Sequence, residues 1–133
     1  MNIEYRNDKE ASRHALGLLF QSVGWLSANY PERLVRAIRQ SATVITAWDD
    51  GRLVGLVNAL DDGEMTAYIH YLLVHPEYQN QGIGTELLSR VKRIYQTYLY
   101  IIIVAENKQL VPFYLRAGFS AQHEAITMAV VSK

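Results

Sequence analysis

The chain has 133 residues, and its 13 lysines and arginines equal its 13 aspartates and glutamates. This balance gives no support for broad nucleic-acid or membrane-surface binding, and the length suits one domain over residues 1–133. The absence of cysteine excludes a disulfide framework, a thiolate metal site and a cysteine nucleophile. No apolar run approaches the roughly 20 residues that span a bilayer, and residues 1–6 lack the features of a signal peptide, so a cytoplasmic location is expected.

The first half of the chain predicts strands and helices in alternation. Residues 2–6 alternate in polarity like a short strand, and helical spacing of apolar residues predicts helices over about 9–22 and 31–40. Asp8 is the predicted N-cap of the first helix. Three β-rich stretches follow, separated by glycine-containing turns: residues 43–48, 53–60 and 65–74. They predict an antiparallel meander.

The second half predicts a parallel unit. Apolar residues recur at helical spacing between Ile83 and Tyr98, and residues 99–105 contain an unbroken apolar run typical of a strand covered on both faces. A strand, helix and strand joined in this way form a parallel pair. A last helix over 108–117 should stop at Gly118 and must begin late or bend at Pro112.

The residues after Gly118 predict one or two closing strands over 119–131. The expected fold class is therefore α+β, with a mixed sheet, an antiparallel meander followed by a parallel β-α-β unit, and helices on both faces.

The most informative segment runs from Val74 to Leu88, where a strand ends, a short loop turns and a helix starts. Gly82 and Gly84 lie at that helix start, which would aim backbone N–H groups and the positive helix end at one point. Such a point binds pyrophosphate without a basic side chain, and the Thr85 hydroxyl could add to it. The Walker pattern is absent, and Leu87 occupies the place of the third small residue of a Rossmann fingerprint. From spacing alone, an ordinary strand-to-helix turn remains the alternative.

Two segments resemble the motifs of the GNAT N-acetyltransferases. Residues 68–84 resemble the central motif of that family, including the spacing from Gln79 to Gly82 and Gly84. Residues 105–107 and 113–119, with Asn107 followed by Phe-Tyr-x-x-x-Gly-Phe, resemble its second motif. The resemblance implies the GNAT fold and transfer of an acetyl group from acetyl-CoA to a primary amine by direct attack in a ternary complex.

The resemblance also implies a set of cofactor-binding residues. Backbone groups of Leu72, Leu73 and Val74 would pair with the pantetheine arm, and an amide near Leu72 would polarise the thioester carbonyl. Asn107 would hydrogen-bond the cofactor, or cap the last helix, or do both. The pyrophosphate would be held by backbone amides of the loop: Gln79, Asn80, Gln81, Gly82, Ile83, Gly84 and Thr85. Many family members have an arginine where this chain has Gln79.

Two residues are implied as catalytic. Tyr114 lies where the family places the general acid that protonates the leaving thiolate, and core packing is its structural alternative. The glutamate base of many family members falls on Tyr68, which is no base at neutral pH. His70 lies two residues further on and resembles the histidine of the arylalkylamine acetyltransferases. A backbone-bonded structural histidine is the alternative for His70.

The acceptor is not fixed by the sequence. Aromatic residues that could line its cleft, or belong to the core, are Trp25, Tyr30, Trp48, Tyr68 and Tyr71. No spacing of histidines or carboxylates indicates a metal. The acidic residues at 61–64 could attract a cationic amine near the mouth of the cleft, and a solvated turn is the alternative. The resemblance is also compatible with a homodimer. Two other functions stay open: a non-catalytic acyl-CoA-binding module of the same fold, and an unrelated nucleotide-binding domain.

Overall fold

The computed structural model describes residues 2–131, which divide into two compact units at Ile103/Val104. The first unit holds a mixed sheet and three α-helices, and the second holds one short α-helix. Because of this division, the single domain over residues 1–133 stays a prediction.

The sheet of the first unit has five strands in the order β1-β2-β3-β4-β5. Neighbours are antiparallel except β4 and β5, which are parallel. The strands are β1 Ile3–Arg6, β2 Thr43–Asp49, β3 Arg52–Asp61, β4 Thr66–Val74 and β5 Tyr100–Ile103, and the helices are α1 Arg13–Ser22, α2 Pro31–Gln40 and α3 Ile83–Ile94. The predicted α+β class, the antiparallel meander and the parallel β4-α3-β5 unit are confirmed.

Helices pack on both faces of the sheet. One core cluster joins Phe20 of α1 and Ile38 of α2 to Trp48 of β2, so Trp48 is a core residue. On the opposite face, α3 lies so close to β3 that a methyl group on Gly55 would meet Ile83 and Leu87, each at 3.1 Å. The glycine therefore sets how near the helix can approach the strand.

The start of the first helix differs from the prediction. Ser12 is the N-cap, because its hydroxyl oxygen accepts a hydrogen bond from the N–H of Ala15 at 3.0 Å. Asp8 instead accepts from the N–H of Glu10 in a local turn. Aspartate and serine can both cap a helix. Only Ser12 has a residue of α1, Ala15, three positions later, so only Ser12 can cap it.

The last strand is less covered than its composition predicts. Tyr100 and Ile102 of β5 are 60% and 47% exposed, and β5 is the final strand in the order of the described sheet. The prediction that this run is covered on both faces was wrong. An apolar run allows a strand to be buried on both faces. The position of the strand in the sheet decides whether both faces are in fact covered.

The second unit contains a 3-10 turn, Lys108–Leu110, followed by α4, Val111–Arg116. Pro112 lies in the first turn of α4, where its missing N–H has no intrahelical acceptor to lose. The late helix start is therefore the correct alternative. The predicted closing strands are absent, since residues 119–131 form no strand in the structure. Alternating apolar residues form a strand only against an edge that accepts ladder hydrogen bonds, and none of the described residues of this unit provides one.

Candidate functional site

The second half of β4 has one unpaired edge within the described part of the first unit. Pairing with β3 continues along β4 as far as Val74, whereas parallel pairing with β5 covers only Thr66–Ile69. On the β5 side, Leu72–Val74 therefore presents peptide groups without a strand partner in that unit. Such an edge suits an extended ligand that carries amides of its own.

The turn after β4 is held at its base by side chains of β2 and β3. The hydroxyl of Tyr78 donates to Asp49 at 2.6 Å, and the guanidinium of Arg52 donates to Glu77 at 3.0 Å. The ring Nδ1 of His75 accepts the N–H of Glu77 at 3.1 Å. His75 is therefore part of the turn that supports the loop.

Gln79 contributes to the loop through its side chain. Its Nε2 donates to the carbonyl oxygen of Val74 at 3.0 Å, which ties the loop to the end of β4. The backbone N–H of Gln79 donates a long hydrogen bond, 3.5 Å, to the carbonyl of Pro76. The glutamine that stands in place of the family's arginine thus has a structural use at this position.

The loop then turns through two residues with left-handed backbone. Asn80 has φ 63° and Gly82 has φ 86°, a conformation that asparagine tolerates and glycine adopts freely. Gly82 is the N-cap of α3 and supplies no side-chain cap. The first intrahelical bond runs from the N–H of Glu86 to the carbonyl of Gly82 at 3.0 Å.

The first turn of α3 is consequently rich in available donors. The N–H groups of Ile83, Gly84 and Thr85 precede the first intrahelical bond and have no acceptor within the helix. Together with the helix dipole, they form an arrangement that binds phosphate oxygens. The donor set therefore fits the pyrophosphate of acetyl-CoA.

Aromatic rings gather on β4 before this edge. The His70 ring stacks on Tyr71, with centroids 4.0 Å apart, and faces Tyr68 at 5.7 Å. Trp25 stacks on the ring of Tyr71 at 5.6 Å, and the hydroxyl of Tyr71 shares a 2.5 Å hydrogen bond with Ser27. Three of the predicted acceptor residues, Trp25, Tyr68 and Tyr71, therefore join His70 in one cluster.

Tyr30 does not join this cluster through any ring contact found among the described residues. It is 46% exposed, and the guanidinium of Arg33 lies 5.5 Å from its ring centroid. The segment containing Tyr30 is held to β4 through Ser27 and buries Ala28.

His70 has a depressed basicity. The His70 side chain is exposed, but partial shielding of its imidazole from water lowers the pKa below the usual value near 6.5, because removing water disfavours the charged form. At neutral pH the ring is therefore mostly uncharged and able to accept a proton.

The strand that carries His70 is irregular. Val57 pairs with Leu72 and Ala59 pairs with Ile69, so His70 and Tyr71 together oppose the single residue Asn58. This is a β-bulge, which bends the strand and redirects its side chains. The buried Asn58 does not stand out in the sequence except as a polar residue in an apolar strand.

The second unit contains Asn107 and Tyr114, the other two residues that the resemblance implies. Its local geometry explains the Phe-Tyr-x-x-x-Gly-Phe motif. The N–H of Phe119 donates to the carbonyl of Tyr114 at 3.0 Å, and the N–H of Gly118 donates to that of Leu115 at 3.1 Å. With Gly118 at φ 97°, these bonds make a Schellman motif, and the helix stops at the predicted glycine. The rings of Tyr114 and Phe119 pack edge-on at 6.0 Å, which supplies the apolar contact of the motif.

Tyr114 and Asn107 have distinct environments. Tyr114 is 9% exposed, and burial raises the pKa of its hydroxyl, with the charge of Glu106 acting in the same direction. The Oδ1 of Asn107 accepts the N–H groups of Gln109 and Leu110 at 3.0 and 3.2 Å. Asn107 is therefore an N-cap whose Nδ2 donors are not used in this cap.

The acidic turn after β3 has a structural use. Asp62 Oδ1 accepts N–H groups from Glu64, Met65 and Thr66 at 2.8–3.1 Å, and these bonds lower the pKa of that carboxyl. Among residues 2–131, no group of three or more histidine and carboxylate side chains could hold a metal ion. No helix in the same range is long and apolar enough to cross a membrane.

Comparison with known proteins agrees with this geometry. The chain is 28% identical to "Uncharacterized N-acetyltransferase ycf52" of Porphyra purpurea over 119 residues, which cover 85% of this chain and 67% of that protein. It is 37% identical over 76 residues to "GCN5-related N-acetyltransferase 2, chloroplastic" of Arabidopsis thaliana, and this match spans 30% of that longer protein. A solved GNAT-family acetyltransferase from Streptococcus pneumoniae superposes with a TM-score of 0.86 at 25% identity, and each chain is 99% covered.

The family model of the GNAT acetyltransferases matches residues 10–119. This range contains β4, the loop before α3 and the Schellman motif of the second unit. The chain therefore belongs to the acetyltransferase (GNAT) family.

Proposed function

We propose that this protein is an N-acetyltransferase that moves the acetyl group of acetyl-CoA to a primary amine by direct attack in a ternary complex. One observation carries the proposal: the edge of β4 at Leu72–Val74, which has no strand partner in the described part of the first unit, is followed by a turn and loop that end at the uncapped start of α3. The edge suits the two amides of the pantetheine arm, and the helix start suits the pyrophosphate. The chain has no cysteine that could form a covalent thioester with the acetyl group, and direct attack does not require one.

Acetylation of a protonated amine requires two protons to leave the nitrogen, one before attack and one after the carbon–nitrogen bond forms, and one proton to reach the thiolate. The amine nitrogen forms a bond to the thioester carbonyl carbon, and the carbon–sulfur bond then breaks. His70 accepts the proton that leaves the nitrogen before attack, directly or through a water, and the second proton of the nitrogen passes to solvent. Tyr114 donates a proton to the departing sulfur. A backbone N–H near Leu72 stabilises the negative charge on the carbonyl oxygen.

The two proposed catalytic groups carry their protons in the required states. An aliphatic amine has a pKa near 10.4, so it arrives protonated and must lose a proton before it attacks. The lowered pKa of His70 keeps that ring neutral and receptive, and the raised pKa of Tyr114 keeps its hydroxyl protonated. The role of Tyr114 rests on its place in the motif of the second unit.

The extent and setting of the enzyme are part of the proposal. Because the family match crosses from the first unit into the second, we propose that both belong to one acetyltransferase domain over residues 1–133. A cytoplasmic location and a homodimer stay predictions.

A second candidate is a non-catalytic acyl-CoA-binding module. Tyr68 favours it, since Tyr68 stands where many family members have a glutamate base. In that case His70 and Tyr71 would form only a structural stack on β4.

Release of free CoA from acetyl-CoA, measured over a panel of aromatic amines, polyamines, amino sugars and lysine peptides, tests the proposal. Acceptor-dependent release is the expected result, and the active amine would give the substrate class. Binding of acetyl-CoA by calorimetry with no release on any amine would favour the binding module. Absence of binding would contradict both candidates.

A further inference from the structure

The bulge of β4 is closed by a buried side chain that the proposed chemistry does not use. The N–H of Tyr71 donates to Oδ1 of Asn58 at 2.7 Å. Asn58 lies on β3, directly opposite the bulge, and is 2% exposed. The extra residue of the bulge therefore has its N–H satisfied by a side chain of the neighbouring strand.

Asn58 is itself fixed from its other end. Its Nδ2 donates to the hydroxyl oxygen of Ser41 at 3.0 Å, and that hydroxyl donates to the carbonyl of Ala37 in α2 at 2.9 Å. Ser41 is 1% exposed. Turning the amide over would place Nδ2 against another donor, the N–H of Tyr71, so this hydrogen-bond chain has one stable polarity.

The bulge has a direct effect on the orientation of side chains. In a regular strand, successive residues point to opposite faces, so neighbouring rings cannot stack. His70 and Tyr71 are consecutive, yet their rings stack 4.0 Å apart at an interplanar angle of 23°. The stack that fixes the imidazole therefore depends on the bulge, and the bulge on Asn58.

We propose that Asn58 is a positioning residue that holds the bulge at His70–Tyr71 and thereby places the His70 imidazole to accept the proton of the acceptor amine. The inference rests on the proposed function for its catalytic part. Its geometric part, that Asn58 sets the position of His70, can be tested without any turnover.

The geometric test is an NMR titration of His70 in Asn58→Leu, which has similar bulk but cannot bond to the N–H of Tyr71 or to Ser41. Loss of the bond to Asn58 should make the N–H of Tyr71 exchange faster with solvent, and opening the stack should remove the partial shielding of the already exposed imidazole, so its pKa should rise toward 6.5. An unchanged His70 pKa in a folded variant would overturn the proposal, whether or not the protein is an enzyme.

Thr46→Val is the matched control. Thr46 is a buried residue of β2, and its hydroxyl oxygen accepts from the indole N–H of Trp48 at 2.8 Å, away from the bulge. It should lose stability as Asn58→Leu does, but keep the His70 titration of the parent protein. A shift of equal size in both variants would show a general loosening and contradict the specific role of Asn58.

If Asn58→Leu does not fold, Ser41→Ala takes its place. This change removes the anchor of the Asn58 amide and leaves the bond to the N–H of Tyr71 able to form. A smaller upward shift of the His70 pKa is expected, and no shift would overturn the proposal.

The catalytic part is tested by a double-mutant cycle on turnover. Misplacing a reacting group can cost up to about 100-fold, so Asn58→Leu should lower kcat by roughly 10- to 100-fold while the affinity for acetyl-CoA changes much less. Combined with His70→Gln, it should add almost nothing, because the two residues act through one group. If the double variant loses kcat by the product of the two single losses, Asn58 acts independently of His70, and the catalytic part of the proposal is wrong.

Discussion

The loop before α3 and the bulged stretch of β4 are neighbours in the chain, but they present their functional groups differently. The loop offers backbone N–H groups, exposed by two left-handed residues and an uncapped helix start. The bulge offers side chains, held by ring stacking and by a buried amide. A backbone site tolerates most side chains and depends on φ and ψ, whereas a side-chain site depends on particular residues.

The largest effect should come from a side chain. Tyr114→Phe removes only a hydroxyl, so packing against Phe113 and Phe119 is kept while the proton for the leaving thiolate is lost. Loss of a general acid typically costs about 100- to 10,000-fold, and we expect kcat to fall in that range. Calorimetry should find the affinity for acetyl-CoA nearly unchanged. Turnover equal to that of the parent would remove Tyr114 from the mechanism.

His70→Gln should have the next largest effect and should alter the pH profile. Because its pKa is lowered, His70 accepts protons over the whole neutral range, and kcat/KM should fall only as the pH drops through a value below 6.5. The variant should be slower and should lack this acidic limb. His14→Gln, at an exposed position of α1, is the control and should keep the limb. A limb that persists in His70→Gln would mean that another group is the base.

Gly82→Ala tests the backbone site. A Cβ at φ 86° costs about 1–2 kcal/mol, so the loop should open and the Kd for acetyl-CoA should rise about 5- to 30-fold. The value of kcat at saturating acetyl-CoA should change little. Gly63→Ala places the same strain at φ 82° in the turn after β3 and should leave the Kd unchanged. Equal losses of affinity in both variants would show that the effect is not local to the loop.

The smallest expected effects concern the packing of α3, which follows the loop, against β3, which pairs with the bulged strand. A methyl on Gly55 would lie 3.1 Å from Ile83 and Leu87, so Gly55→Ala should lower the free energy of unfolding by about 1–3 kcal/mol. Gly17→Ala, on α1 with no atom within 4 Å of the added methyl, should raise it by about 0.5–1 kcal/mol. Urea denaturation compares the two. Similar changes in both would mean that α3 does not need this close approach.

The backbone site was the easier of the two to predict from sequence. A turn and a helix start are predicted by Gly82, Gly84 and the helical spacing of the apolar residues that follow. These signals are local in the sequence. The bulge could not be predicted, because it depends on the register between β3 and β4 and on one amide 13 residues away from Tyr71. The exposure of Tyr100 likewise depends on where β5 lies in the sheet, which the residues of β5 do not encode.

Parallel pairing of β4 with β5 stops at Ile69, and this early end has a thermodynamic consequence. A ligand that completes the edge beyond that point stabilises the folded state and not the unfolded chain. At 100 times its Kd, such a ligand raises the free energy of unfolding by about 2.7 kcal/mol. With acetyl-CoA as that ligand, as we propose, the melting temperature of this protein should rise with the concentration of acetyl-CoA.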